Sequence, residues 1–178
     1  MQEVLLMNYG IAIFPSKPIQ DQANAYRKRY DPHYALIPPH ITLKRSFEAN
    51  DDKLDELITE MKHIANETDR FTIHINKVST FSPVTNTIYF KVEPVQALMD
   101  LQAKMHVDKF EDNNEHPFVP HITIAQDLVH DEYSDVFGRL KMESFQFEDT
   151  IDRFQLLYQL DNGSWTVYET FVFGKEQV

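Results

Sequence analysis

Cysteine is absent from all 178 residues, so neither a disulfide framework nor a thiolate-ligated metal is open to this chain. That usage fits a reducing compartment, and a cytoplasmic location is the expectation. No stretch approaches the roughly 20 apolar residues of a membrane span. The segment Met1-Gln-Glu-Val-Leu-Leu6 carries an acid and lacks the basic region of a secretory signal. Low-complexity tracts and Gly/Ser-rich linkers are missing too, so composition does not cut the chain into independent domains. Basic charge is scarce. With 17 Lys and Arg against 28 Asp and Glu, the net charge is -11, which argues against general affinity for nucleic acid, because counterion release needs a cationic face.

What remains is ample for a core. With 42% hydrophobic residues, the chain can fill one domain or two small lobes sharing a core. Its charge is uneven. Residues 1–47 hold Lys17, Arg27, Lys28, Arg29, Lys44 and Arg45 against Glu3, Asp21 and Asp31, a balance of +3, which leaves -14 for residues 48–178. A local anion site in the first segment is therefore admissible, although Arg27-Lys28-Arg29 reads first as a solvated helix end whose cations complement the dipole.

Periodicity places a buried strand at Gly10–Phe14, closed by Pro15, and then a helix with Ile19, Ala23, Tyr26 and Tyr30 on one face, ending before Pro32. Asp31–Pro39 is a loop by its prolines, and Ile41 and Leu43 alternate with Thr42 in a strand. A second helix buries Leu54, Leu57, Ile58, Met61 and Ile64. Strands follow at Phe71–Ile75 and Ile88–Val92, separated by the Ser82-Pro83 turn. Pro94 suits the first turn of a third helix, carrying Val95, Leu98 and Met105. After the acidic loop Asp108–Pro117 come the strand His121–Ala125 and a short helix with Tyr133, Val136, Phe137 and Leu140. Two final strands, Ile151–Leu160 and Trp165–Phe173, flank Asp161-Asn162-Gly163 as a hairpin.

Within this series a unit occurs twice: strand, proline, helix, proline-bearing loop, then a strand beginning Pro-His-Ile-Thr. It runs Ile11–Leu43 and again Ile88–Ile124, with 25 positions from Pro15 to His40 and 27 from Pro94 to His121. Equal order and near-equal length suggest a duplicated half arranged about a pseudo-two-fold axis. Side chains alternate on a strand, so His40 and Thr42 share a face, as do His121 and Thr123. If the halves are paired, two imidazoles and two hydroxyls converge on one groove. One neutral imidazole can take a proton from water while a protonated one gives a proton to a leaving oxygen, and threonine hydroxyls can hold the non-bridging oxygens of a phosphate. This scheme needs no metal and no cofactor. A lone His-x-Thr would read as ordinary strand residues; the matched pair carries the argument.

His40-Ile-Thr-Leu43 and His121-Ile-Thr-Ile124 resemble the paired His-x-Thr-x motifs of the 2H phosphoesterase superfamily. From Met7 through Phe173 the chain looks close to that superfamily's YjcG-like branch, including Ile-Ala-Ile-Phe-Pro-Ser-Lys17 and Leu-Leu-Tyr-Gln-Leu160. The resemblance implies an α+β, two-lobed duplicated fold with antiparallel or mixed sheets around a central cleft. It implies one domain spanning residues 1–178, with residues 1–6 as an N-terminal extension. It also implies a hydrolase that opens a small or terminal phosphodiester: a 2′,3′-cyclic phosphate, a related cyclic nucleotide or a 2′-5′ linkage. His40 would be the proton donor, His121 the proton acceptor, and Thr42 and Thr123 the phosphate-binding hydroxyls. The expected partner is a small nucleotide or an RNA terminus, not a long duplex and not a membrane.

Weaker candidates remain. His74 sits on a polar strand face, His33, His116 and His130 in loops, and His63 and His106 in helices. Lys44 and Arg45, following the first motif, could supplement phosphate binding but read first as an exposed strand end. Tyr30, Tyr34, Phe81 and Tyr89 could stack on a base but read as packing. A metal hydrolase using His40 and His121 with Asp127 or Asp131 lacks a recognisable ligand spacing. A nucleotide-binding module with little turnover would use the same four residues.

Overall fold

The computed structural model describes residues 6–174. Strand β1 (Met7–Ile13) leads through Ser16 into helix α1 (Lys17–Tyr30), with Pro18 in the first turn, where no intrahelical N–H is lost. Strand β2 (Ile41–Ala49) follows the proline loop. Helix α2 (Asp51–Glu67) is capped by Asn50, whose side chain accepts from the Lys53 N–H at 2.8 Å, with Asp51 and Asp52 against the positive dipole end. Strands β3 (Phe71–Thr80) and β4 (Ile88–Val92), helix α3 (Gln96–Lys104), strand β5 (His121–Ala125) and helix α4 (His130–Leu140) come next. Strands β6 (Phe147–Ile151), β7 (Arg153–Gln159) and β8 (Trp165–Val172) complete the described chain.

The strands form two four-stranded antiparallel sheets of α+β architecture, in the orders β2-β1-β7-β8 and β5-β4-β3-β6. Each order starts with a histidine-motif strand at the sheet edge, and next to it lies the strand that opened its half of the repeat. The two edges abut, because β2 contacts β5, and a central cleft lies between them. The helices are exchanged. Helix α1, which follows β1 of the first sheet, packs on β5 of the second; α3, which follows β4 of the second sheet, packs on β2 of the first. Asp149 of β6 joins the exchange by accepting the Ser16 N–H at 2.8 Å at the start of α1. Buried residues from both sheets merge into one hydrophobic core.

Several expectations are corrected here. Pro94 stands before the α3 cap, Val95, rather than in the first turn, and Met105 caps the other end. His130 opens α4 instead of lying in a loop, and His106 falls just past α3. Ile151 belongs to β6, a strand that sequence periodicity missed because Asp149 interrupts the alternation of Phe145, Phe147 and Ile151. The hairpin turn is as expected in place, with Gly163 at φ 89°, a conformation that glycine adopts without strain. The expected N-terminal extension falls, apart from Leu6, outside the described residues. Among the described residues no helix is long and apolar enough to cross a membrane.

Phe90 joins the exchanged helix to its sheet. It is fully buried, with its ring 6.4 Å from Tyr26 of α1, 5.1 Å from Phe145 and 5.8 Å from Phe147. Phe90→Ala is expected to lower unfolding stability by about 3–5 kcal/mol through lost transfer energy and a residual cavity. Urea denaturation checks this, and a loss below about 1 kcal/mol would contradict the packing described.

Candidate active site

Each histidine of the repeat follows a proline, Pro39 or Pro120, and both prolines are buried. Proline has no N–H and fixes its own φ, so the chain before the imidazole is held in one course. In both copies the Nδ1–H donates to the carbonyl two residues earlier: His40 to Pro38 at 2.8 Å and His121 to Val119 at 2.7 Å. A carbonyl only accepts, so this bond fixes the tautomer and leaves Nε2 as the free ring nitrogen in each. Both rings are half-buried.

The cleft holds two adjoining cavities. His40, Thr42 and Thr123 line one of about 270 Å³, and Thr42 and His121 line another of about 590 Å³. Thr42 and Arg45 border both. The four motif residues are thus gathered around one cleft. Burial pushes the pKa of His40 down to about 4; the Pro38 carbonyl opposes that shift, the positive charges of Arg27 and His121 add to it, and Asp31 opposes it. Burial also lowers His121, against the pull of the Val119 carbonyl. Near neutral pH these surroundings favour the neutral form of both imidazoles.

The loop that carries His40 is built around a charge. Arg27, read from sequence as solvated, is 2% exposed and pairs through Nε with Asp31 Oδ2 at 3.1 Å. Its other donors reach Asn24 Oδ1 at 2.8 Å and the Ile37 carbonyl at 2.5 Å. Asp31 in turn accepts from the His33 N–H and from Gln126 Nε2, both at 2.8 Å. Gln126 also donates its N–H to the Tyr30 carbonyl at 3.1 Å, and Trp165 donates its own to Leu36 at 2.8 Å. The His40 loop is thereby tied to the end of β5 and to β8. Lys28 and Arg29 are exposed, as expected of a helix end.

Lys44 is a second correction. It is buried, not at an exposed strand end, and donates to the Glu111 carbonyl at 2.5 Å and to Asn113 Oδ1 at 3.1 Å, near the rings of Phe47 and Phe110. Burial lowers its pKa to about 8. Arg45 is exposed and paired with Glu115. His33 lines the smaller cavity, and His106 and His116 line the larger. His106 is buried, with Nε2 3.2 Å from the Leu43 carbonyl. His63, His74 and His130 line neither cavity. Phe81 and Tyr89 flank the His121 ring at 5.0 and 5.1 Å, and Phe81 also lines the larger cavity, so its place is at the site rather than in packing alone. Among the described residues no three His, Cys, Asp or Glu stand together as a possible metal-ligand group.

The profile of the 2′-5′ RNA ligase superfamily matches residues 15–163. The protein named Putative phosphoesterase OB1230 from Oceanobacillus iheyensis is 71% identical over 170 residues, covering 96% of this chain and all of its own. A relative from Geobacillus sp. WCH70, named Putative phosphoesterase GWCH70_0799, is 59% identical, covering 96% of this chain and 99% of its own. Among solved structures, TT0787 of Thermus thermophilus superimposes with a TM-score of 0.73 at 17% identity, over 96% of this chain and all of that one. E. coli LigT complexed with 3′-AMP gives 0.70 at 16% identity, over 95% and 99%. The chain belongs to the 2′-5′ RNA ligase superfamily. Within it, this is a phosphoesterase of the 2H class, a hydrolase of phosphoric ester bonds.

The buried pair offers a direct test. Asp31→Ala leaves the Arg27 guanidinium enclosed without its carboxylate and should cost about 3–5 kcal/mol of stability. Replacing Arg27 and Asp31 together by Met and Leu should cost clearly less, since no orphan charge is left behind. Urea unfolding of the three proteins decides it; equal losses would show that the pair is not the organising contact.

Proposed function

We propose that His40 and His121 are an acid/base pair that hydrolyses a small or terminal phosphodiester, with Thr42 and Thr123 holding the non-bridging oxygens. Supported ester types are a 2′,3′-cyclic phosphate, a related cyclic nucleotide or a 2′-5′ linkage. The observation that carries this reading is the matched tether at Nδ1, which leaves one free Nε2 on each side of the cleft. LigT, which shares the fold, has been solved with 3′-AMP, NADP+ and ATP, and ligands of that size suit the cleft.

In the proposed reaction, His121 Nε2 takes a proton from water as the oxygen attacks phosphorus in line. The P–O bond to the leaving sugar oxygen breaks, and that oxygen receives the proton of His40 Nε2. One water is consumed, a monoester forms, and proton exchange with solvent resets the pair. The donor role demands a protonated His40, which burial of the ring disfavours. An anionic ester supplies what is missing: its negative charge raises the proton affinity of both rings. The net charge of -11 disfavours a long duplex as substrate, because a long polyanion is repelled beyond the cleft.

His40→Ala and His121→Ala should each lower turnover by about 10²–10⁴-fold with the fold intact, as expected when one proton-transfer partner is lost. Thr42→Val and Thr123→Val should each raise the barrier by about 2–4 kcal/mol, with serine better tolerated. Activity should survive EDTA. The assay compares cyclic and linear phosphodiesters for wild type and variants. Tight binding without turnover would favour a nucleotide-binding module, and loss of activity on chelation, restored by zinc, a metal hydrolase.

The pH profiles carry a sign. Both rings titrate below the usual 6.5 in the free protein, so the optimum of kcat/KM should lie on the acid side of 6.5. Bound anion raises both, so the optimum of kcat should lie at higher pH. Coincident optima would show that substrate does not supply the donor's proton affinity.

A further inference from the structure

The larger cavity contains more than phosphate chemistry requires. His121 and Thr42 stand at its inner end, while Phe81, Val84 and Phe118 line it farther out. Val84 stands at the cavity rim, 79% exposed. A sugar phosphate has no use for such a wall; a flat aromatic group does.

The wall also carries a polar reader. Gln102, in the last turn of α3, is 5% exposed and donates from Nε2 to Asn114 Oδ1 at 2.8 Å. Among the described residues no hydrogen bond falls on its Oε1 and no buried side-chain polar atom lacks a partner, so that oxygen is accessible to solvent, and Gln102 and Asn114 both line the cavity. The pair therefore shows one acceptor on Gln102 and one amide donor on Asn114. Turning both amides over exchanges the roles and still leaves one donor and one acceptor. Adjacent donor and acceptor form the pattern that the edge of a nucleobase complements. An acyl chain would satisfy the rings and leave the amides unanswered.

We infer that this cavity is a nucleobase subsite. The heterocycle carried by the ester lies between Phe81, Val84 and Phe118 and pairs one edge with Gln102 and Asn114, while its phosphate stays at Thr42 and His121. The volume of about 590 Å³ accommodates a nucleoside. This assignment rests on the reading of the histidine cleft as the phosphate site, and it extends that reading by saying which side the base takes.

Calorimetric binding tests it with two ligands, adenosine 3′-monophosphate and the methyl riboside 3-phosphate, which keeps anion and sugar but lacks the base. Wild type should bind the nucleotide at least about 10-fold more tightly, the scale of one stacked, hydrogen-bonded base. Val84→Trp, at an exposed position where folding is not at stake, should fill the cavity and cut that advantage to less than about 3-fold. Gln102→Leu, which keeps the shape and removes the amide, should reduce it by about 5-fold. Thermal melts verify that both variants fold. Equal binding of the two ligands by wild type, or an advantage that survives both substitutions, overturns the subsite. Failure of both ligands to bind overturns the phosphate site with it. If no ester is turned over yet the base-dependent advantage and its loss are seen, the proposed hydrolysis falls and the subsite stands.

Discussion

A guanidinium enclosed by protein has to find partners for its donors, and the fold around the cleft is arranged to supply them. Arg27 sits at the end of α1 with its charge answered by Asp31; Nη1 donates to Asn24 within the helix, and Nη2 reaches carbonyls of the loop between α1 and β2. That loop carries no regular structure of its own. Its course is set by the Ile37 and His33 carbonyls turning in to the guanidinium, and this places the Pro38 carbonyl against the His40 ring. Gln126, at the end of the opposite histidine strand, completes the set through Asp31. One buried cation thus links the first histidine to the strand of the second.

The same residue breaks the symmetry of the site. Backbone geometry treats the two imidazoles alike, with matching tethers at Nδ1 and matching prolines before them. Electrostatics does not, because Arg27 and Asp31 act on His40 and no counterpart acts on His121. The second half has other contents: where Lys44 follows the first motif, Ala125 follows the second, and it is buried among apolar neighbours. The two rings are tethered alike and both are lowered by burial, but His40 stands near Arg27 and Asp31 as well.

Much of this is legible in the sequence. Alternation of Ile41 with Thr42 and of Ile122 with Thr123 was enough to set the polar face of each motif strand, and the proline positions bounded α1 and its loop. Arg27 reads as solvated because a cation in the last turn of a helix normally is; its partner Asp31 stands one helical turn on, an i,i+4 signal that the sequence does contain. Lys44 had no such local sign, since Glu111 and Asn113 lie far along the chain. Asp149 hid β6 for a similar reason: an inward carboxylate looks like an error in a strand until the Ser16 N–H that it accepts comes into view. Gln102 and Asn114 are likewise brought together only by the turn after α3.

Which sheet a helix covers is also beyond periodicity, and here the exchange of α1 and α3 matters beyond stability. Each sheet is clasped by a helix rooted in the other, so prying the lobes apart would peel Tyr26 from Phe90 and draw the Arg27 loop off Gln126. Hinge motion, the usual way for a two-lobed protein to admit a ligand, is thereby disfavoured. Widening the cleft therefore means breaking that packing and those hydrogen bonds first. The distance between the two sheet edges is in this way tied to the core, whereas a rim side chain such as Val84 stands exposed.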